Sequence, residues 1–232
     1  NGLRYGENPH QPAAFFGDLK GLFDQLNGKE LSYNNLLDLD AALELIDDMA
    51  TLGGVAFAIL KHNNACGAAV RATLKEAWDA ALAGDPVSAF GGVLITTARI
   101  DKTTAEAIDA IFIEIICAPG YDADALGILR KKKNRIILDR RAFTRPTRRF
   151  RSALNGILAQ APDTVIDTAA NMRVATKKSP TAQEHADQVF ANILVKHTKS
   201  NAIVLAKDGR LLASGTGQTS RAGFLLFVIL VL

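Results

Sequence analysis

Only two cysteines occur in the 232 residues, Cys66 and Cys117, and they form no short-spaced pair. That excludes a disulfide framework and a Cys-x-x-Cys redox or zinc motif. No His-x-Glu or Pro-Cys-x-x-Cys accompanies His62 and Cys66, so a deaminase-type site is excluded and no zinc is expected. The one long apolar run, Phe224 to Leu232, has nine residues, against the roughly 20 that a membrane-spanning helix needs. No secretory n-region opens the chain, so the expectation is a cytoplasmic protein without a membrane partner. Neither a Walker loop nor a dinucleotide fingerprint is present.

Hydrophobic residues make up 48% of the chain and charged residues 22%, which is the composition of a folded α/β or α+β protein rather than a disordered one. Net charge is only +3, yet Arg130 to Arg151 holds eleven Lys or Arg against the single acid Asp139. Three readings compete for that run: a solvated surface, a phosphate or polycarboxylate site, and a nucleic-acid surface. Phe143 and Phe150 alone do not make a stacking platform, and no base-reading motif is present, so no nucleic-acid partner is expected.

Apolar residues recur at helical spacing from Leu36 to Met49, and Gly53-Gly54 then precede a short apolar run, Val55 to Leu60, that reads as a buried strand. Thr73 to Glu76 is a capping box for a helix closing near Gly84. The alternation continues with strand Gly92 to Thr97, a capping box at Thr103 to Glu106, strand Ile111 to Cys117, helix Asp122 to Lys132 and strand Arg135 to Leu138. This predicts an α/β sheet with crossover helices and ligand-binding loops after Leu60, Thr97 and Cys117. Residues 141–180 read as a connector with a short strand around Leu154 to Gln160. Thr181 to Glu184 caps a helix to about Leu194, and Asp208-Gly209 turns a hairpin between Ala202 to Ala206 and Arg210 to Ser214. Lys196-His197 repeats Lys61-His62, which suggests two related units.

Lys61-His62 sits where a strand ends, so an imidazole and an ammonium can project into a crevice, with Asn63, Asn64 and a flexible Gly67 behind. A hydrogen-bonded structural histidine is the competing reading. Arg4 to Gln11 has no apolar periodicity and many donors; it reads equally as a polar terminal loop and as an anion-capturing one. Gly91-Gly92 serves either a tight turn or close approach of backbone to a ligand.

Taken in order, Leu3 to Gln11, Lys29 to Asn35, Leu60-Lys61-His62, Ser88 to Gly92, Ala118-Pro119-Gly120-Tyr121, Lys196 to Asn201 and Gly215 to Arg221 resemble the AICAR transformylase domain of the bifunctional purine-biosynthesis enzymes. The resemblance runs to Arg221. It implies a cytidine-deaminase-like three-layer α/β fold in two similar subdomains, at 1–140 and 181–232, the second incomplete, and a homodimer. It implies formyl transfer from 10-formyltetrahydrofolate, as co-substrate, to the 5-amino group of AICAR. His62 would be the general base, Lys61 the transition-state cation and Asn201 the orienting amide, while Arg4, Tyr5, Gly91, Glu114, Asn201 and Arg221 would bind substrate. A noncatalytic ribotide-binding module is the alternative. Nothing in these residues specifies a monovalent cation.

Beyond Arg221 the sequence departs from the family pattern. Ala222-Gly223 leads straight into the apolar nonamer, read either as a buried strand or as a foreign terminus. The family's cyclohydrolase domain is not in the sequence.

Overall fold

The computed structural model describes residues 2–220. Arg221 and the run Phe224 to Leu232 lie outside the described residues. Two short strands, β1 (Gly2–Leu3) and β2 (Ala13–Ala14), pair with each other and bracket the polar N-terminal loop. The remaining strands of the main sheet are β3 (Phe23–Asn27), β4 (Val55–Lys61), β5 (Asn64–Arg71), β6 (Val93–Thr96), β7 (Ile115–Ala118) and β8 (Ile136–Arg140), completed by a C-terminal hairpin described below. The helices are α1 (Tyr33–Met49), α2 (Leu74–Leu82), α3 (Lys102–Asp109), α4 (Ala123–Leu129) and, after a separate hairpin of β9 (Arg149–Ala153) and β10 (Gly156–Gln160), α5 (Ala182–Lys196). Strands β11 (Ile203–Lys207) and β12 (Arg210–Gly215) follow.

The eight strands run in the order β11-β12-β5-β4-β6-β7-β8-β3. Only β6, β7 and β8 are mutually parallel, with α3 and α4 as their crossovers; every other pair is antiparallel. The sequence expectation of crossover helices therefore holds for that parallel core, and the rest of the sheet is built from hairpins and edge pairings. Strand β12 pairs with β5 through Arg210 and Ala69, so the hairpin containing the echoing residues' neighbours extends the same sheet.

Alternation along β4 explains why helices cover both faces. Ala56, Ala58 and Leu60 point to one face, packing with Leu39, Leu43 and Ile46 of α1 and Phe190 and Leu194 of α5. Phe57 and Ile59 point to the other, against Trp78 of α2, Ile108 of α3 and Leu129 of α4. Phe57 and Trp78 meet edge to face with ring centroids 5.3 Å apart. Each fully buried side chain of this size contributes about 1.5–3 kcal/mol relative to exposure, so the central strands are pinned from both sides.

Several boundaries differ from the sequence reading. Helix α1 begins a turn earlier than Leu36 because Ser32 and Asn35 cap each other's backbone N–H groups. The cap of α3 is Asp101, which accepts from the Thr104 N–H at 2.7 Å, and Thr103 is already helical. Residues 111–114 precede β7 rather than belonging to it. Where a loop is expected after Leu60, the chain turns back as strand β5; Gly67 in it is buried, and a Cβ there would meet the Ala81 carbonyl at 2.2 Å, so this glycine admits α2 rather than supplying flexibility. Strand β10 matches the short strand expected in the connector, but β9 pairs beside it where none was expected.

Candidate functional site

Strands β4 and β5 are joined by a two-residue turn, His62-Asn63, with φ of 51° and 64°. Left-handed backbone at both central positions suits a tight hairpin, and asparagine tolerates it better than most residues. The turn is held from α1 by Asp38, whose Oδ1 accepts from the Asn63 N–H at 2.7 Å. Burial pushes the Asp38 carboxyl above its usual range, opposed by that N–H and by the nearby His62 and reinforced by the negative charge of Glu114. Among the described residues the His62 imidazole has no hydrogen-bond partner, and the side chain is exposed.

Lys61 is half-buried and donates from Nζ to the Phe90 carbonyl at 2.6 Å. An ammonium has three donors, so that contact leaves two for a ligand. Register carries the other residues to it. Leu60 pairs with Val93, and Val93 with Ile115, so the next residues out, Lys61, Gly92 and Glu114, end neighbouring strands. Gly91 has φ of 72° and donates its N–H to the Phe112 carbonyl at 2.7 Å; a Cβ there would stand 4.0 Å from Lys61 Nζ. The exposed rings of Phe90 and Phe112 lean together beside it, 5.3 Å apart.

Glu114 pairs with Lys29 at 2.8 Å and accepts at 3.3 Å from the amide of Asn35, whose oxygen is occupied by the Ser32 N–H. The cap of α1 thereby aims one side-chain amide at the strand ends. The same helix start carries the N-terminal loop: the Tyr33 N–H donates to the Tyr5 carbonyl and Asn34 to the Glu7 carbonyl. Arg4 lies over the Tyr5 ring, 4.7 Å from its centroid, and donates to its hydroxyl at 2.9 Å.

On the other side of the turn, Asn64 accepts from Thr216 Oγ1 at 2.9 Å and from the Lys199 N–H at 3.5 Å. The Gln218 N–H donates to the Asn201 carbonyl at 3.1 Å, which fastens the Asn201 segment beside the hairpin. A cavity of about 600 Å³ opens here, lined among others by Lys61, His62, Asn64, Cys66, Asp85 and Thr216. Burial pushes the Cys66 thiol up to about 11, with Asp85 adding to the effect, so it is protonated and weakly nucleophilic at neutral pH.

The structure thus gathers Lys61, His62, Gly91 and Glu114 at one end of the sheet, with Asn201 tied in through Asn64 and Arg4-Tyr5 through α1. Arg221 lies outside the described residues. Asp38 is not marked by the sequence reading, Asn64 is named there only as a neighbour of Lys61-His62, and Asn35 only as the end of the family-like stretch Lys29 to Asn35; the pattern Ser32-x-x-Asn35 is a further signal for it. Of the three loop positions favoured in advance, Thr97 and the residues after Cys117 lie at the opposite sheet end, because β6 and β7 point away from the end of β4. There Tyr121 is buried with its hydroxyl 3.0 and 2.9 Å from the carbonyls of Ile116 and Leu138, a structural role.

The echo dipeptide also differs from its twin. Lys196 and His197 both reach Asp48 Oδ2, at 2.8 and 2.7 Å, and fasten the end of α5 to α1. Much of the basic run is likewise engaged. Arg140 and Arg145 pair with Asp47, Arg149 with Glu44, Arg141 with Asp24, and Arg135, almost fully buried, with Asp109. Arg140, Arg145 and Arg149 thus pair with acids of α1, so that part of the run is engaged within the protein rather than simply solvated. The described residues hold no group of three or more His, Cys, Asp or Glu side chains placed to bind a metal, and no helix among them is long and apolar enough to cross a membrane.

The family described as AICARFT/IMPCHase bienzyme matches residues 1–226. The chain is similar to the bifunctional purine biosynthesis protein PurH of Bacteroides thetaiotaomicron, 61% identical over 219 residues. It is 50% identical over 221 residues to the protein of that name from Chloroflexus aurantiacus and 44% identical over 229 to that of Caulobacter vibrioides. Each alignment covers 94% of this chain and 43% of the relative, so the chain spans less than half the length of the curated relatives it matches.

Proposed function

The chain belongs to the AICARFT/IMPCHase bienzyme family, and from that premise we propose that its sheet end carries the formyl-transfer site, where a formyl group passes from 10-formyltetrahydrofolate to the 5-amino group of AICAR. The observation that carries the proposal is the adjacency of an exposed imidazole, without a hydrogen-bond partner among the described residues, and a half-buried ammonium where β4 meets its turn, at the mouth of a cavity. The two subdomains, the cytidine-deaminase-like fold, the homodimer and a cytoplasmic location belong to the same proposal.

AICAR's amine is conjugated to its ring and is a weak nucleophile. His62 takes a proton from it as nitrogen attacks the formyl carbon, so that the attacking atom does not accumulate positive charge. Lys61, held by the Phe90 carbonyl but with donors to spare, faces the negative charge that develops on the formyl oxygen. When the bond from the formyl carbon to folate N10 breaks, the departing nitrogen requires a proton, which Lys61 or the newly protonated His62 supplies. Asn201 orients the reacting groups. Glu114 accepts from ribose hydroxyls, and Arg4 with Arg221 meets anionic groups of the substrates. The exposed Phe90 and Phe112 rings offer an apolar shelf beside Lys61 for an aromatic co-substrate.

The test is steady-state kinetics on the full-length polypeptide that contains this chain. His62→Ala is expected to lower kcat by roughly 100- to 10,000-fold, the usual range for removing a general base, while AICAR still binds. An unaltered rate removes His62 as base. Tight ribotide binding by folded wild-type protein with no turnover at all favours the noncatalytic binding reading instead.

A further inference from the structure

Three segments of the site converge on one side chain. Asn64 donates from Nδ2 to the His62 carbonyl at 2.7 Å, accepts at Oδ1 from Thr216 Oγ1 at 2.9 Å, and receives a longer contact of 3.5 Å from the Lys199 N–H. The His62 carbonyl belongs to the left-handed turn, and the peptide that contains it sets the direction from which the imidazole leaves the backbone. Thr216 and Lys199 bracket the Asn201 segment: the Gly217 N–H donates to the Lys199 carbonyl at 2.7 Å, and the Gln218 N–H to that of Asn201. One carboxamide therefore fixes both the turn that presents the imidazole and the loop that presents Asn201. Replacing either end of the amide alone breaks a different arm of this bridge.

We infer that Asn64 is a positioning residue for formyl transfer, setting the orientation of His62 relative to the Asn201 segment; the inference rests on the roles proposed above for those two residues. Its three contacts are all to protein. A donor and an acceptor are needed at once and at this length, which among common side chains only asparagine provides here: aspartate keeps the acceptor and lacks the donor, and alanine lacks both. Misplacement of a reacting group by about 1 Å costs on the order of 100-fold in rate, so loss of the bridge acts on the chemical step more than on binding.

The experiment uses the full-length polypeptide with Asn64→Ala, Asn64→Asp, Thr216→Val and, in parallel, His62→Ala, each measured for melting temperature, kcat, the KM for AICAR and the pH profile of kcat. Asn64→Ala is expected to lower kcat by roughly 30- to 100-fold, with KM changed less than about threefold. Asn64→Asp retains the contacts to Thr216 and Lys199, so it should melt like the wild type yet remain slow, and its carboxylate should move the acidic limb of the kcat profile to higher pH by favouring protonated His62. Thr216→Val should give a smaller loss that is not additive with Asn64→Ala. If Asn64→Ala does not fold, Asn64→Asp and Thr216→Val decide. Wild-type kcat in folded Asn64→Asp overturns the inference. If His62→Ala is inactive while the folded Asn64 variants turn over normally, the proposed function stands and the positioning role alone falls. A wild-type rate in His62→Ala defeats both.

Discussion

At the scale of single residues, the site depends on groups held in conformations that their side-chain chemistry does not announce. His62 and Asn63 both adopt positive φ, and the two-residue turn they make contains no glycine that would have marked it. Lysine and histidine at a strand end were legible; the left-handed turn was not, because Asp38 reaches it from α1 and Asn64, bonded locally to the His62 carbonyl, is itself held by the distant Thr216 and Lys199. Asp38 gives a pH-dependent test. Its folded pKa is raised, so its ionisation opposes folding: its contribution is most favourable below the usual aspartate range and declines as pH climbs through the raised value. Asp38→Asn keeps an oxygen for the Asn63 N–H and removes the ionisation. Chemical denaturation from about pH 3 to pH 7 should therefore show this variant gaining stability relative to wild type as pH rises. A relative loss over that range would mean that the charged carboxylate is the form the turn prefers.

At the scale of elements, hydrophobic period and capping chemistry carried most of the information. The Val55 to Leu60 run, the capping boxes at Thr73 and Thr181 and the Asp208-Gly209 turn all appear in the structure close to where they were read. Within the main sheet, what escaped was β3 and β5. Phe23–Asn27 is a sheet-edge strand with one buried residue, and Asn64–Arg71 is rich in alanine and glycine, so neither has the β-branched alternation that identifies a strand. The basic run was ambiguous for a related reason: its partners on α1 are about a hundred positions away in sequence. For α5, Thr181 accepts from the Glu184 N–H at 3.2 Å, and Glu184 returns a bond to the Thr181 N–H at 2.7 Å. Thr181→Ala should cost about 1 kcal/mol in equilibrium denaturation. No change would mean that the packing of Phe190, Ile193 and Leu194 determines the helix start without its cap.

At the scale of the whole molecule, a mixed sheet covered on both faces brings together residues that are far apart in sequence. Strand β4 runs antiparallel to β6, which sets Lys61 beside Gly91 and Glu114; α1 starts at the same sheet end and carries the Arg4 loop; β12 joins β5 and carries the Asn201 segment back to the turn. Helix periodicity and turn chemistry could not specify that arrangement, since strand order is a nonlocal property. The central claim is that this sheet end is where AICAR reacts. A crystal structure of the full-length polypeptide with AICAR tests it most directly: the ribotide should lie with its amine facing His62 and Lys61 and its other groups within reach of Arg4, Glu114 and Asn201. Density for AICAR at a remote surface, with the His62 turn empty, would contradict it.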